Sequence, residues 1–154
     1  MVVRDILNSW MEQRKAVLLS NYESKGLKAS GAFGQGVRIE PRQDGSSMYA
    51  PIQVLMMTEG RKPNTNQDPK ALKKFVGWAG STFLKKWVSD RGLQVSPYAV
   101  AWSIARNGVK VPNAHNDGRL LTDTFTQESK QELFKSITRS YVTELKTDIH
   151  NLWQ

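Results

Sequence analysis

The chain has 154 residues, 39% of them hydrophobic and 23% charged, proportions that fit one folded domain with a core rather than a disordered segment. It lacks cysteine, which excludes disulfides, thiol catalysis and zinc–thiolate sites, and no apolar run approaches the roughly 20 residues that span a bilayer. The net charge of +8 is unevenly placed: residues 61 to 110 hold ten Lys and Arg against two acids, Asp68 and Asp90, while the remainder holds twelve of each sign.

Residues 3 to about 24 read as an amphipathic helix, with Ile6, Leu7, Trp10, Met11, Val17, Leu18 and Tyr22 mostly at three- and four-residue spacing. Trp10 and Met11 are expected to pack in a core. Arg4, Asp5 and Glu12 interrupt the apolar pattern, which no secretory signal tolerates. A soluble intracellular protein without membrane contact is the expectation.

From about 29 to 50 the texture changes to glycine and alternation. Phe33, Val37 and Ile39 share one face of an extended run, and Asp44-Gly45-Ser46-Ser47 is a turn signal before Met48-Tyr49-Ala50. A hairpin is expected, its first strand weakened by Gly31, Gly34 and Gly36. None of these glycines makes a phosphate loop, because no Gly-Lys-Ser/Thr ending follows.

Pro51 opens a short helix through Ile52, Leu55 and Met56 to Gly60, with a continued strand as the competing reading. Residues 61 to 68 are polar and read as an exposed loop. Asp68-Pro69 then begins a helix, since Asp accepts from free amide groups and Pro suits the first turn. It runs to about 91 with Leu72, Phe75, Val76, Phe83, Leu84, Trp87 and Val88 on one stripe and a break expected near Gly80-Ser81. The outer face carries Lys70, Lys73, Lys74, Lys85, Lys86 and Arg91. Gly92 ends the unit, Ser96-Pro97 restarts a helix, and Gly108 stops that one.

After Gly108 the chain reads as extended through Val109 and Val111, then polar to Gly118, with Leu120 and Leu121 returning to the core. Residues 127 to about 151 form a closing helix, with Leu133, Ile137, Tyr141, Leu145 and Ile149 recurring every four residues. The order of elements is that of an α+β domain spanning 1–154: N-terminal helix, small antiparallel hairpin, central helices and a long C-terminal helix.

Three pieces in the middle of the chain form an ordered pattern. These are Gly60-Arg61-Lys62-Pro63, then Trp87-Val88-Ser89-Asp90-Arg91-Gly92-Leu93, then Tyr98-Ala99-Val100-Ala101-Trp102-Ser103-Ile104-Ala105-Arg106-Asn107-Gly108. In this order they resemble the neck (head–tail joining, tail-completion or connector-ring) proteins of tailed bacteriophages. The core of the resemblance is residues 51–111, with Trp87, Gly92, Tyr98, Trp102 and Gly108 as motif positions. The sequence departs after Gly108, where such proteins often carry a small hydroxyl residue and this one has Val109-Lys110-Val111.

The resemblance implies a structural virion subunit, assembled in the bacterial cytoplasm and repeated as a homo-oligomeric ring between portal and tail. Its partners would be the portal or an adjacent neck ring, tail proteins, and the genomic DNA without sequence reading. Arg61, Lys62, Lys73, Lys74, Lys85, Lys86 and Arg106 are the candidates for charged contacts, with Tyr98 and Trp102 holding the helix that presents Arg106. A basic non-sequence-specific DNA-binding protein is the alternative, because Trp78, Trp87, Tyr98 and Trp102 lie among the basic residues. Most of these aromatics fall on apolar stripes and are expected to be buried.

No enzyme, cofactor or metal site is expected. The two histidines, His115 and His150, have no His-Glu-x-x-His spacing, and His115 with Asp117 has no nucleophile elbow to serve.

Overall fold

The computed structural model describes residues 3–27, 31–43, 45–64 and 68–153. Helix α1 spans Val3–Ser24 and buries Ile6, Leu18 and Tyr22 along one side. It ends at Gly26, which takes a positive φ of 65°. The sequence places apolar residues on that side alone, so α1 becomes the surface on which the next segments fold.

A short helix, α2 (Ala32–Gly36), comes next. It is followed by β1 (Arg38–Pro41) and β2 (Ser46–Tyr49), which pair antiparallel with Arg38 opposite Tyr49 and Pro41 opposite Ser46. The hairpin is therefore present but shorter than expected. Gly34 and Gly36 belong to a helical turn, not to a strand, with Gly31 just before it. That turn delivers Phe33 onto Tyr22, ring centroids 4.5 Å apart, which a straight strand from residue 31 would not need. Ala29, Ser30 and Asp44 lie outside the described residues.

Helix α3 (Gln53–Thr58) follows Pro51, and Thr58 Oγ1 donates to the Val54 carbonyl at 3.0 Å. The competing strand reading of this segment is thus excluded. Leu18, Tyr22, Phe33, Val37, Val54 and Leu120 form the first hydrophobic cluster. Leu120, completely buried, opens the short helix α7 (Leu120–Thr124).

The second cluster belongs to three central helices. Helices α4 (Pro69–Ser81), α5 (Phe83–Asp90) and α6 (Pro97–Asn107) enclose Val76, Ala79, Leu84, Ala101 and Ala105. The last helix, α8 (Gln127–Leu152), is 26 residues long, about 39 Å. With one two-stranded antiparallel sheet amid the helices of the described residues, the architecture is α+β.

A polar junction fixes the base of α8. The Trp10 indole N–H donates to the Ser129 carbonyl at 3.0 Å, and the Trp10 ring lies 5.9 Å from Phe125. Arg14 donates to the Thr124 carbonyl, and the Asn21 amide donates to Thr124 Oγ1, both at 3.3 Å. The Thr124 hydroxyl donates in turn to the Leu120 carbonyl at 2.7 Å. Trp10 is half-buried there and acts through its polar edge as well as its ring.

Candidate partner-binding surfaces

The central helical unit starts where the sequence places its caps. The Asp68 carboxylate accepts from the Lys70 backbone N–H at 3.0 Å, and Pro69 occupies the first turn of α4. The expected break falls at Thr82, where φ and ψ are −110° and −107°. Hydroxyls compete with the helix ladder at this point: Ser81 Oγ donates to the Gly77 carbonyl at 2.7 Å and Thr82 Oγ1 to the Trp78 carbonyl at 2.6 Å. Such back-bonding, added to two glycines, bends the chain.

Small residues set the spacing between α4 and α6. Ala79, Ala101 and Ala105 are completely buried, so the two backbones approach closely. The Tyr98 ring lies over Gly80, where a Cβ would come within 2.5 Å of Tyr98 Cδ1. Tyr98 thus packs along one face yet remains half exposed.

The first and third motif pieces converge in space. The Arg61 backbone N–H donates to the Val109 carbonyl at 2.8 Å, and the Val109 N–H donates to the Arg61 carbonyl at 2.7 Å. The Asn64 N–H donates to the Ala105 carbonyl at 2.9 Å. The segment 61–64 is therefore partly a structural strap and not the wholly exposed loop expected of it. Arg91 joins the two clusters, donating to the Gly26 carbonyl at 2.8 Å with its guanidinium 5.5 Å from the Trp87 ring.

The candidate contact residues fall into two groups. Lys62, Lys73, Lys74, Lys85 and Arg106 are exposed, on the strap, the outer faces of α4 and α5, and the last turn of α6. Arg61 is committed within the chain, while Lys86 is exposed like the first group but carries a surface ion pair. The Arg61 guanidinium lies 4.1 Å from the centroid of Phe75 and donates to Asn64 Oδ1 at 2.9 Å. Its strap brings it under α4, where cation–π attraction and a hydrogen bond hold it. Lys86 is ion-paired with Asp90 at 3.2 Å, one helical turn on.

The aromatics differ from expectation. Trp87 is half-buried, but Trp78 is 59% exposed and Trp102, Tyr98 and Phe83 are also exposed. Trp78 lies one residue off the inward stripe defined by Leu72, Val76 and Ala79, and the kink at Thr82 turns Phe83 outward to meet it, centroids 5.4 Å apart. A helical wheel drawn through the break could not register that turn.

His115 is exposed, its backbone N–H donating to Asn113 Oδ1 at 2.9 Å. Asp117 serves Lys25 through Oδ2 at 2.6 Å and the Arg119 N–H through Oδ1 at 2.9 Å, so both oxygens are engaged away from the imidazole. Lys25 also pairs with Asp123 at 2.8 Å, fastening the end of α1 to α7. These pairings hold the Asp117 carboxyl below its ordinary range and the Lys25 ammonium above its own, in each case chiefly through their mutual hydrogen bond.

A surface the sequence pattern disguised is the outer half of α8. Leu133 and Ile137 are half-buried on the α1 side, but every residue from 141 to 153 is exposed. Tyr141, Leu145, Ile149 and Leu152 are 54%, 59%, 54% and 83% exposed. The expected closing helix closes the fold only with its first half. Helix α1 lies beside Leu133 and Ser136, and residues four apart advance about 40° per step around a helix, so the apolar line winds away from the α1 side.

Among the described residues no group of His, Asp and Glu could hold a metal ion, and no helix is long and apolar enough to cross a membrane. No family model, curated protein or solved structure matches the chain.

Proposed function

We propose that this chain is a neck component of a tailed bacteriophage. In this reading it is a non-catalytic subunit repeated as a ring between portal and tail, extending or sealing the DNA channel and docking the tail. The observation that carries it is that Gly60-Arg61 of the first motif piece and Gly108 of the third meet at one antiparallel bridge, in which Arg61 pairs with Val109, the residue where the sequence departs from the pattern. A pattern of three pieces has more weight when two of them build one local structure. The exposed apolar half of α8 adds support, since a subunit of an assembly leaves such a face for a neighbour. The exposed lysines of α4 and α5 would meet DNA phosphates or an acidic neighbouring protein.

A basic DNA-binding protein without ring assembly is the second reading, favoured by the exposed Trp78–Phe83 pair amid those lysines.

Antibody-gold electron microscopy of virions released by cells carrying the gene tests the first reading. Gold at the head–tail junction is the expected result. Virions free of the chain would end it.

A further inference from the structure

The outer half of α8 has a sidedness that its apolar stripe alone does not reveal. At about 100° per residue, Tyr141, Leu145, Ile149 and Leu152 lie on one line along the helix. From residue 135 onward the charged side chains divide by sign about this line. Within the outer half Glu144 and Asp148 lie on one flank and Lys146 on the other, and Lys135 and Arg139 continue the basic flank into the first half, where they border the groove with α1. All are exposed.

We infer that the occupant of this stripe is the α8 helix of a second copy, packed parallel, so that the acidic flank of each copy faces the basic flank of the next. Orientation follows from charge. Two such helices packed parallel about a common axis bring opposite flanks together. Antiparallel packing brings equivalent flanks together, acid on acid and base on base, which is disfavoured. Two copies packed this way about a two-fold axis share one isologous contact, and three or more about a common axis each turn one flank toward one neighbour and the other flank toward the next; either arrangement is a closed cyclic oligomer. The apolar line supplies the affinity and the flanks supply the direction. The inference stands on α8 alone and does not require the neck reading.

The absence of cysteine allows a direct test on the full-length chain. Sedimentation of the wild type should show concentration-dependent self-association that weakens with salt, because the flanks are exposed. Leu145→Asp with Ile149→Asp should raise the dissociation constant about a hundredfold or more. It should leave the thermal unfolding of the body unchanged, since both residues lie outside its two clusters. Leu152→Cys should form an interchain disulfide under mild oxidation, because parallel packing sets position 152 beside its own copy.

A chain that stays monomeric at about 0.1 mM overturns the inference, since a stripe this weak would not direct assembly. An oligomer indifferent to the double aspartate substitution assigns assembly to another surface and overturns it too. An oligomer that survives without the Leu152→Cys crosslink excludes the parallel arrangement. Virion labelling answers a separate question. A self-associating chain absent from virions keeps this inference and ends the neck reading; a monomer found at the junction does the reverse.

Discussion

Arg61 and Val109 exchange both of their backbone hydrogen bonds, at 2.8 and 2.7 Å, although one precedes the central helices and the other follows them. This single bridge closes the helical unit into a loop with a fixed mouth. The residue before each partner is a glycine with positive φ, 77° at Gly60 and 69° at Gly108. A Cβ on Gly60 would run into the Val109 carbonyl, and one on Gly108 into the Arg61 carbonyl. The two glycines of the motif thus serve the same crossing.

Alanine at either glycine should therefore cost about 2–3 kcal/mol, combining a left-handed backbone with a collision against main chain. Gly77→Ala is the contrasting case. Its Cβ would meet nothing within 4 Å, and it lies on an exposed helix face, so a gain of up to about 1 kcal/mol is expected. Urea denaturation of the three variants checks the ordering. A destabilised Gly77→Ala with a neutral Gly108→Ala would refute the account of the bridge.

Gly80 tests the α4–α6 contact. As a helix-interior glycine it should gain from alanine, but the new methyl would press on the Tyr98 ring. The expected net loss is about 1–2 kcal/mol in the wild type. In a Tyr98→Ala background the same change should become neutral or stabilising. Equal effects in both backgrounds would show that the ring does not limit the approach of these helices.

The Lys25 cluster predicts a particular pH profile. Asp117, whose carboxyl is held low by Lys25 and then by the Arg119 N–H, stabilises the fold above the ordinary aspartate value of 3.8. That contribution fades as pH falls through its lower folded value. Lys25, held above 10.5 chiefly by Asp117 and then Asp123, contributes fully below that value and loses its contribution as pH rises through the raised one. Lys25→Met should accordingly lower the melting temperature most across the intervening plateau, with the deficit shrinking at both extremes. A deficit independent of pH would mean that the side chain acts by packing alone.

Lys73→Glu with Lys74→Glu reverses two exposed charges on one turn of α4, away from both hydrophobic clusters. Stability should change by less than about 0.5 kcal/mol. For a neck subunit the expected outcome is heads that fill with DNA but do not join tails. For the DNA-binding alternative it is weaker binding to all DNA sequences alike, with a shallower salt dependence. Normal joining together with unchanged DNA binding would remove these lysines from either role.

Local signals specified most of the helices and their ends. Asp68 and Pro69 start α4, glycines with positive φ stand just beyond α1, α5 and α6, and period-four apolar residues mark α8, because each of these depends on neighbours within a few positions. The net excess of positive charge in residues 61–110 was equally legible by counting. Tertiary structure alone decided the rest. Phe33 reaches Tyr22 through a helical turn where alternation implied a strand, because packing on α1 outweighs the weak strand preference of a glycine-rich run. Arg61 is withdrawn from the contact candidates by Phe75 and Asn64, and Phe83 is turned outward by the kink at Thr82 to meet the exposed Trp78. Half of the α8 stripe stays uncovered since periodicity reports which face of a helix is apolar but not how far its partner extends. In this chain that partner is α1, which lies beside Leu133 and Ser136 but leaves every residue from 141 to 153 exposed.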